Sequence, residues 1–258
     1  MRAITALFYR RVEGIQHHVE LVQELRLLGA AKTSTSIQKT IVGKRATEVQ
    51  SRLNTDFQWQ TISLDGCVLS LAGEFEHAAL DLSEWLARTL CSRVATYSDL
   101  PSKIRDENLQ LIGEALKNVG RPYLAHINYS QVIFDLYQSD TKGIPVTLFS
   151  RGFGMHNQNL RSEQLAHVFA RSQVKDLWSK LGRNPWLRAY YNGIGVGKTA
   201  KLAAERLDDF MEYRNQVAHR GPSYASVGPT VVLDHVKFFR CLLGALALVL
   251  DEYQESFP

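Results

Sequence analysis

Leu207-Asp-Asp-Phe210-Met211-Glu-Tyr213-Arg214-Asn215-Gln216-Val217-Ala218-His219-Arg220-Gly221-Pro222 spaces its apolar residues in steps of three and four: Leu207, Phe210 and Met211, then Val217 and Ala218. That period predicts an amphipathic helix, stopped by Gly221-Pro222. Arg214 falls on the same stripe. A guanidinium cannot shed its charge, and burying one unpaired costs several kcal/mol, so Arg214 needs a carboxylate, a phosphate or a water-filled cleft.

Outward from this stretch the same period recurs. Ile4, Leu7, Phe8, Val12, Ile15, Val19, Val22, Leu25 and Leu28 predict a long first helix closed by Gly29. Residues 33–36 read as a loop and 37–53 as a polar-faced helix, while Phe57, Trp59 and Thr61 alternate as in a short strand. Leu71, Phe75, Ala78, Ala79, Leu82 and Leu86 mark a helix over 67–93, and Pro101 opens another that runs to Val119. Residues 123–149 predict a helix, a turn at Asp140–Pro145 and an extended piece. Arg151–Gly154 reads as a loop, residues 161–181 as one helix closed by Gly182, and Asn184-Pro185 as a restart. Two final helices follow, the motif helix over 198–220 and an apolar one over about 231–253. No repeat or low-complexity tract appears. The expectation is an all-α bundle forming one domain over 1–258, with 1–66 as an N-terminal helix and insertion and 67–258 as the core.

Three cysteines, Cys67, Cys91 and Cys241, lie far apart with no Cys-x-x-Cys, which argues against a disulfide framework and a thiolate zinc site. The apolar run at the N-terminus is too short for a signal peptide, and Leu242–Leu250 is too short to span a bilayer. A cytoplasmic protein with no membrane partner is expected. The formal net charge of +4 is compatible with a polyanionic partner.

Gly193-Ile-Gly195-Val-Gly197-Lys198-Thr199 has the look of a phosphate-binding loop and fails its signature twice. The required leading glycine is Asn192, and the upstream Pro185–Tyr191 does not read as a buried strand. A glycine-rich link before the next helix is the better reading, with an anion still able to visit that helix's N-terminus. No compact set of metal ligands stands out. His17 and His18 are adjacent on the first helix and point in different directions.

Arg214, Asn215 and His219, with four residues between Arg and His, resemble the motif of the HEPN domains. These are all-helical modules, many of them metal-independent ribonucleases. The long helical approach, Ala218 before the histidine and the apolar final helix strengthen the resemblance. Leu71–His77 and His156–Leu160 extend it loosely upstream. It implies a HEPN-like helical bundle with no cofactor, in which two protomers set their motif helices antiparallel around a composite cleft. It also implies RNA as substrate and a toxin or anti-phage role, with an antitoxin or regulatory protein as a further partner.

Cleavage of RNA by its own 2′-hydroxyl needs a base for that proton and an acid for the leaving 5′-oxygen, and imidazole serves both near neutrality. Under the resemblance His219 takes these roles. Arg214 stabilises charge on the phosphorane, and Asn215 positions the phosphate or the ring. Glu74 would orient Arg214, with Glu76, His77 and Asp81 as competitors. Lys198, Arg220 and Tyr224 are candidates for contact with the strand, although packing of its loop is the better reading for Tyr224. At about 100° per residue, positions 214 and 219 diverge by about 140° on a straight helix, whereas 215 and 219 share a face. One phosphate therefore meets both side chains only if the chain bends at Gly221 or a second copy supplies one of them. The competing reading is a non-catalytic module that binds nucleotide or protein, with Arg214 structural.

Overall fold

A computed structural model describes residues 1–30, 40–55, 58–121, 124, 126–155, 159–220 and 227–257. Among these residues the chain is all-α, with no strand. The helices are α1 (Arg2–Ala30), α2 (Ile41–Thr55), α3 (Gln58–Arg93), α4 (Ser102–Lys117), α5 (Tyr129–Lys142), α6 (Ser150–Gly154), α7 (Ser162–Ala170), α8 (Leu177–Arg183), α9 (Pro185–Tyr190), α10 (Val196–Arg220) and α11 (Pro229–Ser256), with a 3-10 turn at Tyr97–Asp99.

The chain divides into two compact units, the larger made of Met1–Ala6, Phe75–Met211 and Cys241–Pro258, the smaller of Leu7–Glu74 and Glu212–Arg240. The smaller buries Phe8, Val12, Val19 and Val22 of α1, Leu64, Val68 and Leu71 of α3, and Val232, Val236 and Phe239 of α11. Each set repeats every three to four residues, as one buried helix face requires. Gln50 of α2 ties to α1 by donating from Nε2 to the Leu28 carbonyl at 3.0 Å.

In the larger unit Phe75, Leu82, Leu86 and Leu90 of α3 are buried, with Leu207, Phe210 and Met211 of α10 and Leu242, Leu243, Leu246 and Leu250 of α11. The apolar run 242–250 is thus a core helix segment, and no helix of the described residues is long and apolar enough to cross a membrane. Gly182 sits inside α8, where a Cβ would lie 2.5 Å from the Val196 carbonyl oxygen, so its bare backbone lets α8 abut the first turn of α10. Asn184 caps α9, its Oδ1 accepting from the Trp186 and Leu187 amides at 3.0 and 3.3 Å with Pro185 in the first turn. Gly143, at φ 74°, closes α5 where the turn was expected.

Four expectations are corrected. Residues 58–61 are helical, because Leu64, Cys67 and Val68 extend the buried α3 period toward its start and outweigh a short alternation. Arg151–Gly154 is a helical turn, not a loop, and its glycines serve close approach: a Cβ on Gly152 would lie 2.4 Å from the Phe149 ring, and one on Gly154 3.2 Å from the Leu80 carbonyl oxygen. The helix expected over 161–181 is two, α7 and α8, broken where Gln173 and Asp176 take φ of 64° and 53°. Gly29 lies within α1 and does not end it. The loop expected at residues 33–36 lies outside the described residues.

Arg171, at the end of α7, sews the break to its neighbours. Its Nη1 donates to the carbonyls of Gly152, Phe153 and Met155 at 3.3, 3.0 and 2.5 Å, and its Nε lies 3.4 Å from Glu107. Burial pulls this guanidinium below its ordinary range, opposed by Glu107 and Glu114.

Candidate functional site

The motif residues occupy the last two turns of α10, within the smaller unit. The buried stripe of α10 ends at Met211: Arg214 and Val217 are half-buried and Ala218 is exposed. The periodic reading that buried Arg214 is corrected to this extent. Its Nε is shielded from solvent, and its Nη1 donates to Asn215 Oδ1 at 3.2 Å. The two side chains thus form one polar unit, guanidinium against amide, beside an exposed His219.

The helix stays α-helical through Arg220, so nothing unwinds between Arg214 and His219. Their directions differ by about 140°, while Asn215 and His219 lie about 40° apart. One chain therefore presents Arg214 and Asn215 as a bonded pair and His219 on another azimuth.

Glu74 lies in the same unit, with its carboxylate paired to another cation. Its Oε2 accepts from Arg11 Nη1 of α1 at 2.8 Å, and this partly exposed ion pair closes one end of a groove between α1 and α3 that also holds His18, Ser63 and Ser70. The resemblance assigned Glu74 through its place on α3, and a partner 63 residues away on another helix has no local sequence signal. Glu76 accepts from the Leu160 amide, and Asp81 pairs with His77 at 3.4 Å, both in the larger unit.

Lys198 is exposed in the first turn of α10, at the end opposite the motif. The residue before its loop is no strand but the short helix α9, and Thr199 is buried with its hydroxyl donating to the Ile194 carbonyl at 3.3 Å. A nucleotide-binding loop would need that hydroxyl free for a metal ion. Arg220 is the last helical residue. Tyr224 and Gly221-Pro222 lie outside the described residues, as do His156, Asn157 and Gln158.

One neighbour of the motif does not stand out in the sequence. Tyr213, just before Arg214, accepts through Oη from the Val227 amide at 3.1 Å, which fastens the chain where it returns toward α11. No group of three or more metal-ligating side chains occurs among the described residues. A family model described as RiboL-PSP-HEPN matches residues 37–252. Neither the curated proteins nor the solved structures contain a match to this chain.

Proposed function

The chain belongs to the RiboL-PSP-HEPN family, and from that premise we propose that it is a metal-independent RNA endonuclease acting as a homodimer. The observation that carries this reading is the motif at the end of α10: Arg214 bonded to Asn215, with His219 exposed on an unbroken helix. A binding scaffold has no need of an exposed imidazole beside an Arg–Asn pair.

The RNA 2′-oxygen attacks phosphorus while the bond from phosphorus to the 5′-oxygen breaks, leaving a 2′,3′-cyclic phosphate and a free 5′-hydroxyl. One His219 takes the 2′-hydroxyl proton and a second, from the other protomer, returns a proton to the leaving oxygen. The planar Arg214 fork holds the non-bridging phosphate oxygens as charge builds on them, and Asn215 fixes the plane of that fork. Such an activity would be toxic unless restrained, which fits a toxin or anti-phage effector held in check by an antitoxin or regulatory protein.

The test is incubation of bulk tRNA and mRNA with the protein in EDTA, beside His219→Ala. Cleavage with cyclic phosphate ends by wild type alone supports the reading. RNA left intact by wild type, with nucleotide or partner protein bound, makes the chain a non-catalytic module.

A further inference from the structure

A cavity of about 920 Å³ opens in the larger unit along α7, the break 171–176 and α8, away from every motif residue in the sequence. Its wall includes the indole of Trp178, which is held in place. Trp178 Nε1 donates to the Ser162 carbonyl at 3.0 Å, and Ser162 is itself clamped by Asp208 of α10, whose two oxygens accept from the Ser162 amide and hydroxyl at 2.7 and 2.6 Å. Two residues further along the same helical turn, Gln164 also lines the cavity, and its Oε1 is buried without a hydrogen-bond partner. A buried amide oxygen left unsatisfied is costly; it is turned away from the cavity, and rotation of the amide toward a ligand there relieves the cost. The segment between the helices carries two left-handed residues, Gln173 and Asp176, at φ 64° and 53°.

We propose that this cavity is a binding site for an adenine base, stacked on Trp178 and read by the Gln164 amide. A fixed indole beside a carboxamide suits a flat heterocycle, because stacking on an aromatic face is favourable for any base and a glutamine amide matches the adjacent donor and acceptor of adenine. The terminal torsion of glutamine is soft, so Oε1 turns outward to accept from the exocyclic amine while Nε2 donates to the neighbouring ring nitrogen. Arg171, Lys175 and His167 line the cavity together with Glu163 and Asp176. This mixed lining offers cations to a phosphate and carboxylates to ribose hydroxyls.

The base belongs either to an RNA strand or to a free adenine nucleotide, and only the first source rests on the ribonuclease reading. The experiment titrates the protein with labelled 2′-O-methyl octamers of A and of U, and with AMP as competitor. These strands lack the nucleophilic hydroxyl, so binding is read whether or not the protein cleaves RNA. About tenfold tighter binding of the A octamer is expected, the order of one bidentate base contact. Gln164→Leu, close in volume, should remove that preference with thermal stability unchanged or raised, because it deletes an unsatisfied buried group. Trp178→Phe should weaken both octamers. Displacement by AMP assigns the site to the free nucleotide, and binding of the octamer alone assigns it to the strand. Equal affinity for both octamers with no AMP binding, or a preference that survives Gln164→Leu, overturns the proposal.

Discussion

An exposed imidazole in the last turn of a helix adds little to packing, so His219→Ala should keep the melting temperature of the wild type. Its loss should lower cleavage by about a hundredfold or more, the order of one general acid–base group. Arg214→Lys should not restore the activity lost in Arg214→Ala. An ammonium cannot hold Asn215 and a phosphate at once in the plane that the guanidinium fork provides. Single-turnover assays on the three variants, with urea melts beside them, check both expectations. Cys91 offers a test of the fold free of any functional reading. Burial pushes its thiol up to about 11 from 9.0, outweighing backbone hydrogen bonds at Leu148 and at Cys91 itself that pull it down. The fold thus holds the neutral form. The stability this contributes is whole below pH 9, where thiols of the unfolded chain keep their protons, and is lost as pH rises toward 11. Burial raises Tyr97 and Tyr253 in the same direction. The urea midpoint should therefore fall between pH 9 and 11, and less steeply in Cys91→Ala.

Whole helices were legible where one apolar stripe ran uninterrupted, as in α1, α3 and α11, and where a Pro or an Asn marked a start, as at Pro101 and Asn184. The break between α7 and α8 was not. Leu165, Val168, Phe169, Val174, Leu177 and Leu181 keep near-helical spacing across it, and the left-handed residues are Gln173 and Asp176, neither of them glycine. What holds the break open is tertiary, Arg171 on the carbonyls that end α6, while Asp208 of α10 caps the other end of α7. The motif helix was read correctly as a helix, but the burial of Arg214 was overstated, since periodicity records which face a residue shares and not where along the helix the covering elements stop. The link from α10 to α7 yields an element-scale prediction. Asp208→Ala strips the first turn of α7 of a charged acceptor for both the amide and the hydroxyl of Ser162, and should cost about 1–3 kcal/mol by urea unfolding. Asp208→Asn retains one acceptor and should cost less. Equal stability of all three proteins would mean that water replaces the carboxylate at no loss.

For the whole molecule, the geometry of α10 turns the ribonuclease reading into a statement about assembly. The helix is regular from Arg214 to Arg220, so one chain aims Arg214 and His219 about 140° apart, too far to grip one phosphate together. A working cleft must then take side chains from two copies, and twofold symmetry gives it two Arg–Asn pairs and two imidazoles. The net charge of +4 per chain doubles in such a dimer, which favours a polyanionic substrate. Co-refolding Arg214→Ala with His219→Ala chains in equal amounts should give heterodimers as about half of all dimers by random pairing. Each heterodimer keeps one guanidinium and one imidazole, on opposite chains. Partial cleavage by the mixture, where neither variant alone cleaves, would identify the pair from opposite chains as the one that meets at phosphorus. A silent mixture with heterodimers present by mass is what the two-imidazole step proposed above predicts, one ring as base and one as acid, and partial cleavage would show that one imidazole suffices. Cleavage by wild-type protein that sediments as a monomer at assay concentration would end the two-copy argument, and would leave only a chain that reshapes the end of α10 when RNA binds.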